Sequence, residues 1–150
     1  WRGIGAAMSS GVQVQLVRVS AEPLDVGAHE AAAGHRGAGA VVSFCGVVRE
    51  LDSGRAVLEL EYQAHPSAQQ VLEQIAAELA ADAHVLGLAV SHRTGTLAIG
   101  DVALVAAVSC AHRAESFALC ARLVEEVKHR LPIWKRQVFA DGTDEWVNCP

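Results

Sequence analysis

The sequence predicts one compact domain that mixes helices and strands, of the α/β or α+β class. Segments with strand-type and helix-type periodicity alternate from about Val12 to Trp146, with no long polar linker, repeat or low-complexity tract between them. A chain of 150 residues with 51% hydrophobic content has the size of one domain and buries roughly 70% of its unfolded surface. No apolar run approaches the length of a membrane span. Residues Trp1 to Ala7 lack the order of a signal peptide and are set aside as a non-native or disordered extension ahead of a start at Met8. The domain is therefore expected over 8–150.

Taken in order, Val12 to Val19 alternates apolar residues with Gln and Arg and reads as a strand with one wet face. Pro23 to Ala33 reads as a short helix capped by Asp25, and Gly34 to Gly39 as its connector. Ala40 to Val48 is nearly all apolar and β-rich, which predicts a buried strand. Asp52-Ser53-Gly54 is the turn into a further strand, Ala56 to Gln63. Pro66 suits the first turn of a helix with Val71, Leu72, Ile75 and Leu79 on one face and Gln69, Gln70 and Glu73 opposite. His84 to His92 and Val102 to Cys110 are two more strands, joined through Gly95 and a Gly100-Asp101 turn. A long helix runs from about Ala114 to Arg130 until Pro132 blocks it. Ile133 to Phe139 alternates as a strand, and Asp141-Gly142 turns it toward a short last strand around Trp146.

Charge and cysteine usage exclude several classes. A formal net charge of -5 and a pI near 5.8 argue against a general nucleic-acid or membrane-surface binder, because such proteins need a broad basic face. Cys45, Cys110, Cys120 and Cys149 show neither CxxC spacing nor a secreted-type framework, which points to a reducing cytoplasm and to most of them acting as small hydrophobes. There is no HExxH, no Cys/His metal spacing, no phosphate-binding Gly-rich loop and no GxGxxG after a strand.

Against that background, Lys128 and Lys135 are the only lysines, and they bound one segment, Lys128-His-Arg-Leu-Pro-Ile-Trp-Lys135, with Arg136 next. Chance in a Lys-poor chain is one reading. A need for an amine that loses its proton, which Arg does not do, is the other. Projecting the long helix at about 100° per residue places Phe117, Ala121, Val124 and Leu131 on one face with Lys128 among them. There Lys128 either snorkels to the rim or stays partly desolvated near a helix C-terminus. In the next strand Lys135 shares a face with Ile133 and Gln137, while Trp134 and Arg136 point away. A reversal at Leu131-Pro132 would bring both amines to one pocket. Trp134 by itself reads as a core aromatic.

Two weaker signals accompany the lysines. His112-Arg113 precedes the long helix, where backbone N–H groups favour a phosphate or carboxylate, although an exposed pair without a role has the same sequence. Arg49 closes an apolar run and is either a solvated strand end or an anion ligand. His92 continues the alternating face of Leu88 and Val90 and reads as structural. Cysteine catalysis, by Cys110 near His112 or through a persulfide at Cys45, is the poorer reading because Cys110 ends an apolar strand.

These residues resemble a known family. Gly39-Ala-Val-Val-Ser-Phe-Cys-Gly-Val-Val-Arg49, Leu60-Glu-Tyr62, His92-Arg-Thr-Gly95, Gly100-Asp101, Ser109-Cys-Ala-His-Arg113 and Lys128 through Arg136 follow the order seen in the large, catalytic subunit of molybdopterin synthase. The resemblance covers about Val12 to Val147. It implies an α/β-hammerhead fold: a single α+β domain of mixed, largely antiparallel sheet with two main helices. It also implies a homodimer within a heterotetramer, with a small ubiquitin-like sulfur-carrier subunit at each end. The implied activity is a cytoplasmic sulfurtransferase of molybdenum cofactor biosynthesis. It converts cyclic pyranopterin monophosphate to molybdopterin by forming a dithiolene, with sulfur from a thiocarboxylate on the carrier's C-terminal Gly-Gly. No metal and no organic cofactor is implied.

Carried over by position, Lys128 and Lys135 match the family's active-site lysines. Lys128 would stabilise or covalently receive the carrier's acyl group, and Lys135 would position substrate or move protons. Arg49, His112, Arg113 and Arg136 match substrate contacts, with Val47, Val48 and Gln137 beside them as backbone or lesser contacts. Some family members carry a polar or basic residue where Val47 stands. Two rival classes remain at this level: a non-catalytic pterin- or nucleotide-binding module, and a small phosphoester hydrolase using Arg49 and His112.

Overall fold

The structure, a computed structural model, describes residues 13–148. The expectations for Trp1 to Ala7, for Met8 and for Cys149 fall outside them. Among the described residues two sheets and three helices form. In the first sheet β5 (Gly87–Arg93) and β7 (Val102–Cys110) are central and antiparallel. The strand β1 (Gln13–Ser20) lies parallel to β5 on one edge, and β2 (Ala40–Val47) lies antiparallel to β7 on the other. The second sheet runs β3 (Leu51–Asp52), β4 (Arg55–Ala64), β8 (Ile133–Phe139), β9 (Asp144–Asn148), and β6 (Gly95–Ala98) also pairs with β4. The helices are α1 (Val26–Ala33), α2 (Ala68–Ala80) and α3 (Arg113–Arg130). Only β1–β5 is parallel among these pairings, so the sheets are mixed and mainly antiparallel, with two main helices, as expected.

Helices cover both faces of the first sheet, which is why β5 and β7 are buried along nearly their whole length rather than at alternate residues. One face presents Leu88, Val90, Leu104, Ala106 and Val108 to the main core, where Leu72, Ile75 and Leu79 of α2 and Leu123 and Val127 of α3 close over it. The other presents Ala89 and Ala107 to Ala33 of α1. Small residues let that helix lie close. Ser109 Oγ donates to the Ala33 carbonyl at 2.6 Å, and a Cβ at Gly87 would overlap the same carbonyl. Asp25 caps α1 as expected, its side chain accepting the Ala28 N–H at 3.1 Å, so the helix begins at Val26 rather than Pro23.

Several expectations are corrected. β2 is not a buried strand but an edge strand, with Val41 45%, Phe44 38% and Val47 55% exposed. An apolar run has the same sequence whether its own chain or another surface covers it. Pro66 precedes α2, in a turn closed by Ala68 N–H to the His65 carbonyl at 2.9 Å, and Ser67 takes the cap position. Gln69 is not simply wet. Its amide accepts the Val19 N–H at 2.7 Å and donates to the Val17 carbonyl at 2.9 Å, so it satisfies backbone groups on the outer edge of β1. β6 was not anticipated as a strand.

The buried stripe of α3 is Ser116, Leu119, Cys120, Leu123, Val124 and Val127, about one residue round from the projected one; Phe117 is 62% exposed and Ala121 is exposed. Ser116 misled the projection. Its hydroxyl is buried because it donates to the Val108 carbonyl at 2.7 Å, which makes a polar residue part of the core face. Trp134, expected in the core, is 40% exposed. The β3–β4 turn does form where predicted, with Ser53 and Gly54 at φ 51° and 78°.

Candidate active site

Pro132 ends α3 and reverses the chain within one residue, since the Ile133 N–H reaches the Leu131 carbonyl at 2.8 Å. The Pro132 carbonyl accepts the His65 N–H at 3.0 Å, and β8 then pairs antiparallel with β4. This register sets Lys135 opposite Tyr62 and Gln137 opposite Leu60. Side chains directly opposite in a pair share a face, so these four face the same side as Lys128 at the end of α3.

Both lysines line one cleft of about 140 Å³, together with Val47, Val48, Arg49, Tyr62 and Gln137. Val48, Val57 and Leu60 give it an apolar floor, each under a tenth exposed. Arg49 stands at the rim with its side chain 78% exposed and pairs loosely with Asp52 at 3.6 Å. Beneath the cleft the buried His92 ring meets Tyr62 edge-on, with centroids 5.0 Å apart at 74°. Its Nδ1 lies 2.9 Å from the Arg93 carbonyl, which fixes the proton on that nitrogen. Burial, and then the charge of Lys128, push the His92 pKa down to about 4, so the ring is neutral at pH 7. Gln137 is 3% exposed, and its Oε1 is buried with no hydrogen-bond partner among the described residues.

A larger groove of about 400 Å³ lies between β2 and α3, lined by Val42, Phe44, Phe117, Ala121 and Val124. Among the described residues Glu125 is its only charged lining residue, so it offers apolar surface rather than chemistry. Val124 sits one helical turn before Lys128, so the groove leads toward the lysine cleft.

Three sequence candidates lie elsewhere. Arg136 points to the opposite face of β8, where Asp144 at 2.6 Å and Glu61 at 3.5 Å hold it. His112 caps α3 without a side-chain hydrogen bond, and Arg113 begins the helix; both are exposed. From Arg113 to Lys128 the helix rises roughly 22 Å at about 1.5 Å per residue. Within one chain the two ends cannot grip one small ligand. Conversely, sequence reasoning did not place Tyr62 and Asp52 in the cleft; Tyr62 enters it only through the β4–β8 register. Among the described residues no group of three or more His, Cys, Asp or Glu could hold a metal. Burial raises the thiol pKa of Cys45, Cys110 and Cys120, which lowers the fraction of nucleophilic thiolate at all three.

Residues 19–130 match the MoaE protein family, three quarters of the chain. The chain belongs to the MoaE family. The molybdopterin synthase catalytic subunit of a Nostoc species is 41% identical over 112 residues, covering 73% of this chain and 68% of that protein. A crystal structure of molybdopterin synthase from Staphylococcus aureus aligns with a TM-score of 0.80 at 32% identity, over 89% of this chain and 96% of that one. A complex of subunits 1 and 2 of molybdopterin-converting factor from Helicobacter pylori has the same fold, with a TM-score of 0.66 at 21% identity, over 91% of this chain and 90% of that one.

Proposed function

We propose that this chain is the catalytic subunit of a molybdopterin synthase. It forms the dithiolene of molybdopterin from cyclic pyranopterin monophosphate with sulfur from the thiocarboxylated tail of a small carrier subunit. The observation that carries this reading is the convergence of the chain's two lysines in one cleft. The reaction needs such a site. When the thiocarboxylate sulfur bonds to a side-chain carbon of the pterin, that carbon's bond to oxygen breaks, the oxygen leaving with the phosphate or, once protonated, as water, and the carrier becomes an acyl group on that sulfur. Water then attacks the acyl carbon, the C–S bond breaks, the sulfur stays on the pterin and the carrier leaves as an ordinary carboxylate. The tetrahedral oxyanion on that path is stabilised by a fixed cation, the role of Lys128. A neutral Lys128 amine could instead take the acyl group covalently. Lys135 orients substrate or relays protons, and Arg49 at the rim meets the pterin phosphate.

A cleft of about 140 Å³ is smaller than the roughly 300 Å³ at which small-molecule sites begin. A second copy of the chain completes it. The exposed apolar edge strand β2 borders the cleft through Val47, and His112 and Arg113 from the partner's α3 start supply the remaining anion contacts. The small carrier is the second partner, in keeping with the two-subunit complex that shares this fold. The setting is the cytoplasm, in keeping with free thiols and with the absence, among the described residues, of any helix able to cross a membrane.

The test is incubation with thiocarboxylated carrier and pyranopterin, followed by mass spectrometry of the pterin. The wild-type protein yields a product bearing two sulfurs. Lys128→Ala folds normally and loses turnover by about 10²- to 10⁴-fold. Substantial activity in that variant would sink the assignment, and phosphate release without carrier would favour a hydrolase.

A further inference from the structure

Both lysines and Arg49 line one small cleft, so an ammonium there needs an acceptor to offset its neighbours' charge. Among the described residues of the lining, three side chains carry an acceptor oxygen: Asp52, Tyr62 and Gln137. Asp52 faces Arg49 at 3.6 Å, and the Gln137 Oε1 is buried without a hydrogen bond. The Tyr62 hydroxyl remains. Tyr62 is 6% exposed, and a buried phenol usually takes a hydrogen-bond partner. Neither Tyr62 nor Lys128 is without a partner among the described residues. Their positions bring the two together. Burial is the main cause of the low His92 pKa and the Lys128 charge adds to it, so the ammonium lies within electrostatic reach of the ring that meets Tyr62 edge-on at 5.0 Å. Lys135 stands directly opposite Tyr62 on the neighbouring strand, so those two side chains run side by side. Lys128 instead enters from the last turn of α3. A tyrosine hydroxyl and a lysine amine each stand about 6 Å from their own Cα, so tips from facing walls meet across the cleft.

We propose that Tyr62 is a positioning residue of this site: its hydroxyl accepts a hydrogen bond from the Lys128 ammonium and holds that cation where the oxyanion forms, while the His92 ring fixes the tyrosine. This rests on the sulfur-transfer reading above. The reason for such a clamp lies in the lysine itself. Its four-carbon stem is among the most rotamer-rich of side chains, and a cation that must be ordered during the reaction stabilises a transition state less than one already in place. Tyr62 can serve as the anchor because it is itself held. The edge-on contact at 74° restrains its ring, and the 2.9 Å contact of His92 Nδ1 with the Arg93 carbonyl restrains the histidine. The chain of contacts therefore runs from β5 through His92 and Tyr62 to the amine of α3.

The experiment compares the wild-type protein with Tyr62→Phe, which keeps the ring against His92 and removes only the hydroxyl. Labelling with ¹³C,¹⁵N-lysine gives two side-chain signals, because the chain has two lysines, and Lys135→Arg assigns them. Without any substrate present, exchange of the Lys128 ammonium protons with water should be about tenfold faster in Tyr62→Phe, the value of one hydrogen bond, and the Lys135 signal should not change. In the sulfur-transfer assay the same variant should lose about tenfold in kcat with the KM for carrier and for pterin unchanged. In a Lys128→Ala background Tyr62→Phe should have no further effect on the residual turnover. Unchanged exchange at Lys128 overturns the proposal, as does an equal loss of turnover in the Lys128→Ala background. A lower melting temperature with unchanged exchange would make Tyr62 a purely structural residue and overturns it too. A wild-type protein that forms no dithiolene refutes the sulfur-transfer reading itself, whereas the exchange measurement needs no turnover, so the two failures are distinguishable.

Discussion

Two inactive variants should restore each other if the catalytic unit is shared between copies. Lys128 and Arg113 stand at opposite ends of α3, roughly 22 Å apart at about 1.5 Å of rise per residue, further than one substrate reaches. In the proposed dimer each site takes Lys128 from one chain and Arg113 from the other. Lys128→Ala alone disables both sites. Arg113→Ala alone removes a charge-assisted contact worth about 1.5–3 kcal/mol, a loss of roughly 10- to 100-fold in pterin affinity. When the two variants are co-expressed in equal amounts, half of the dimers are mixed, and each mixed dimer has one site with both residues intact and one with neither. About a quarter of all sites are then wild type by two-fold symmetry. The assay is dithiolene formation at pterin concentrations below the variants' Kd, with each variant alone as baseline. Recovery to about a quarter of wild-type turnover is expected; no recovery above the sum of the separate variants would refute the shared site and the distance argument behind it.

Lys128→Arg keeps the charge but removes the amine, so retention of turnover would assign Lys128 an electrostatic role and total loss a covalent one, read in the same sulfur-transfer assay. Gly87→Ala should destabilise the fold by about 2 kcal/mol, because the new methyl overlaps the Ala33 carbonyl and α1 must lift from Ala89 and Ala107; denaturant midpoints measure it, and an unchanged midpoint would contradict the packing described. His92 predicts a pH dependence with a definite sign. Its folded pKa of about 4 lies below the ordinary histidine value of 6.5, so the unfolded chain binds the proton first as pH falls. Stability is full above about pH 6.5 and declines between pH 6.5 and 4, by roughly 3 kcal/mol in total at about 1.4 kcal/mol per unit. His92→Gln should flatten that slope in urea titrations.

Long, strongly periodic elements were legible before any coordinates. Ala68–Ala80, Arg113–Arg130, Val102–Cys110 and Ile133–Phe139 fall within a few residues of their expected spans, because local periodicity and the Pro132 stop act over neighbouring residues. Burial was less legible. β2 and the Phe117 face of α3 are apolar yet exposed, and Ser116 is polar yet buried, because pattern reports what a residue tolerates and not what its own chain places against it.

By itself, then, the sequence determined the mixed fold class, the family resemblance and the pairing of Lys128 with Lys135, all of which depend on residues near each other along the chain or on their order. Tertiary structure alone decided that Tyr62 joins the lysines, that Asp144 and Glu61 hold Arg136 on the far face, and that His112 and Arg113 stand a helix length from the cleft. The reason is physical. Strand register flips every side chain with a one-residue shift, and a helix separates its ends by a fixed rise; neither distance is written in any local stretch of sequence.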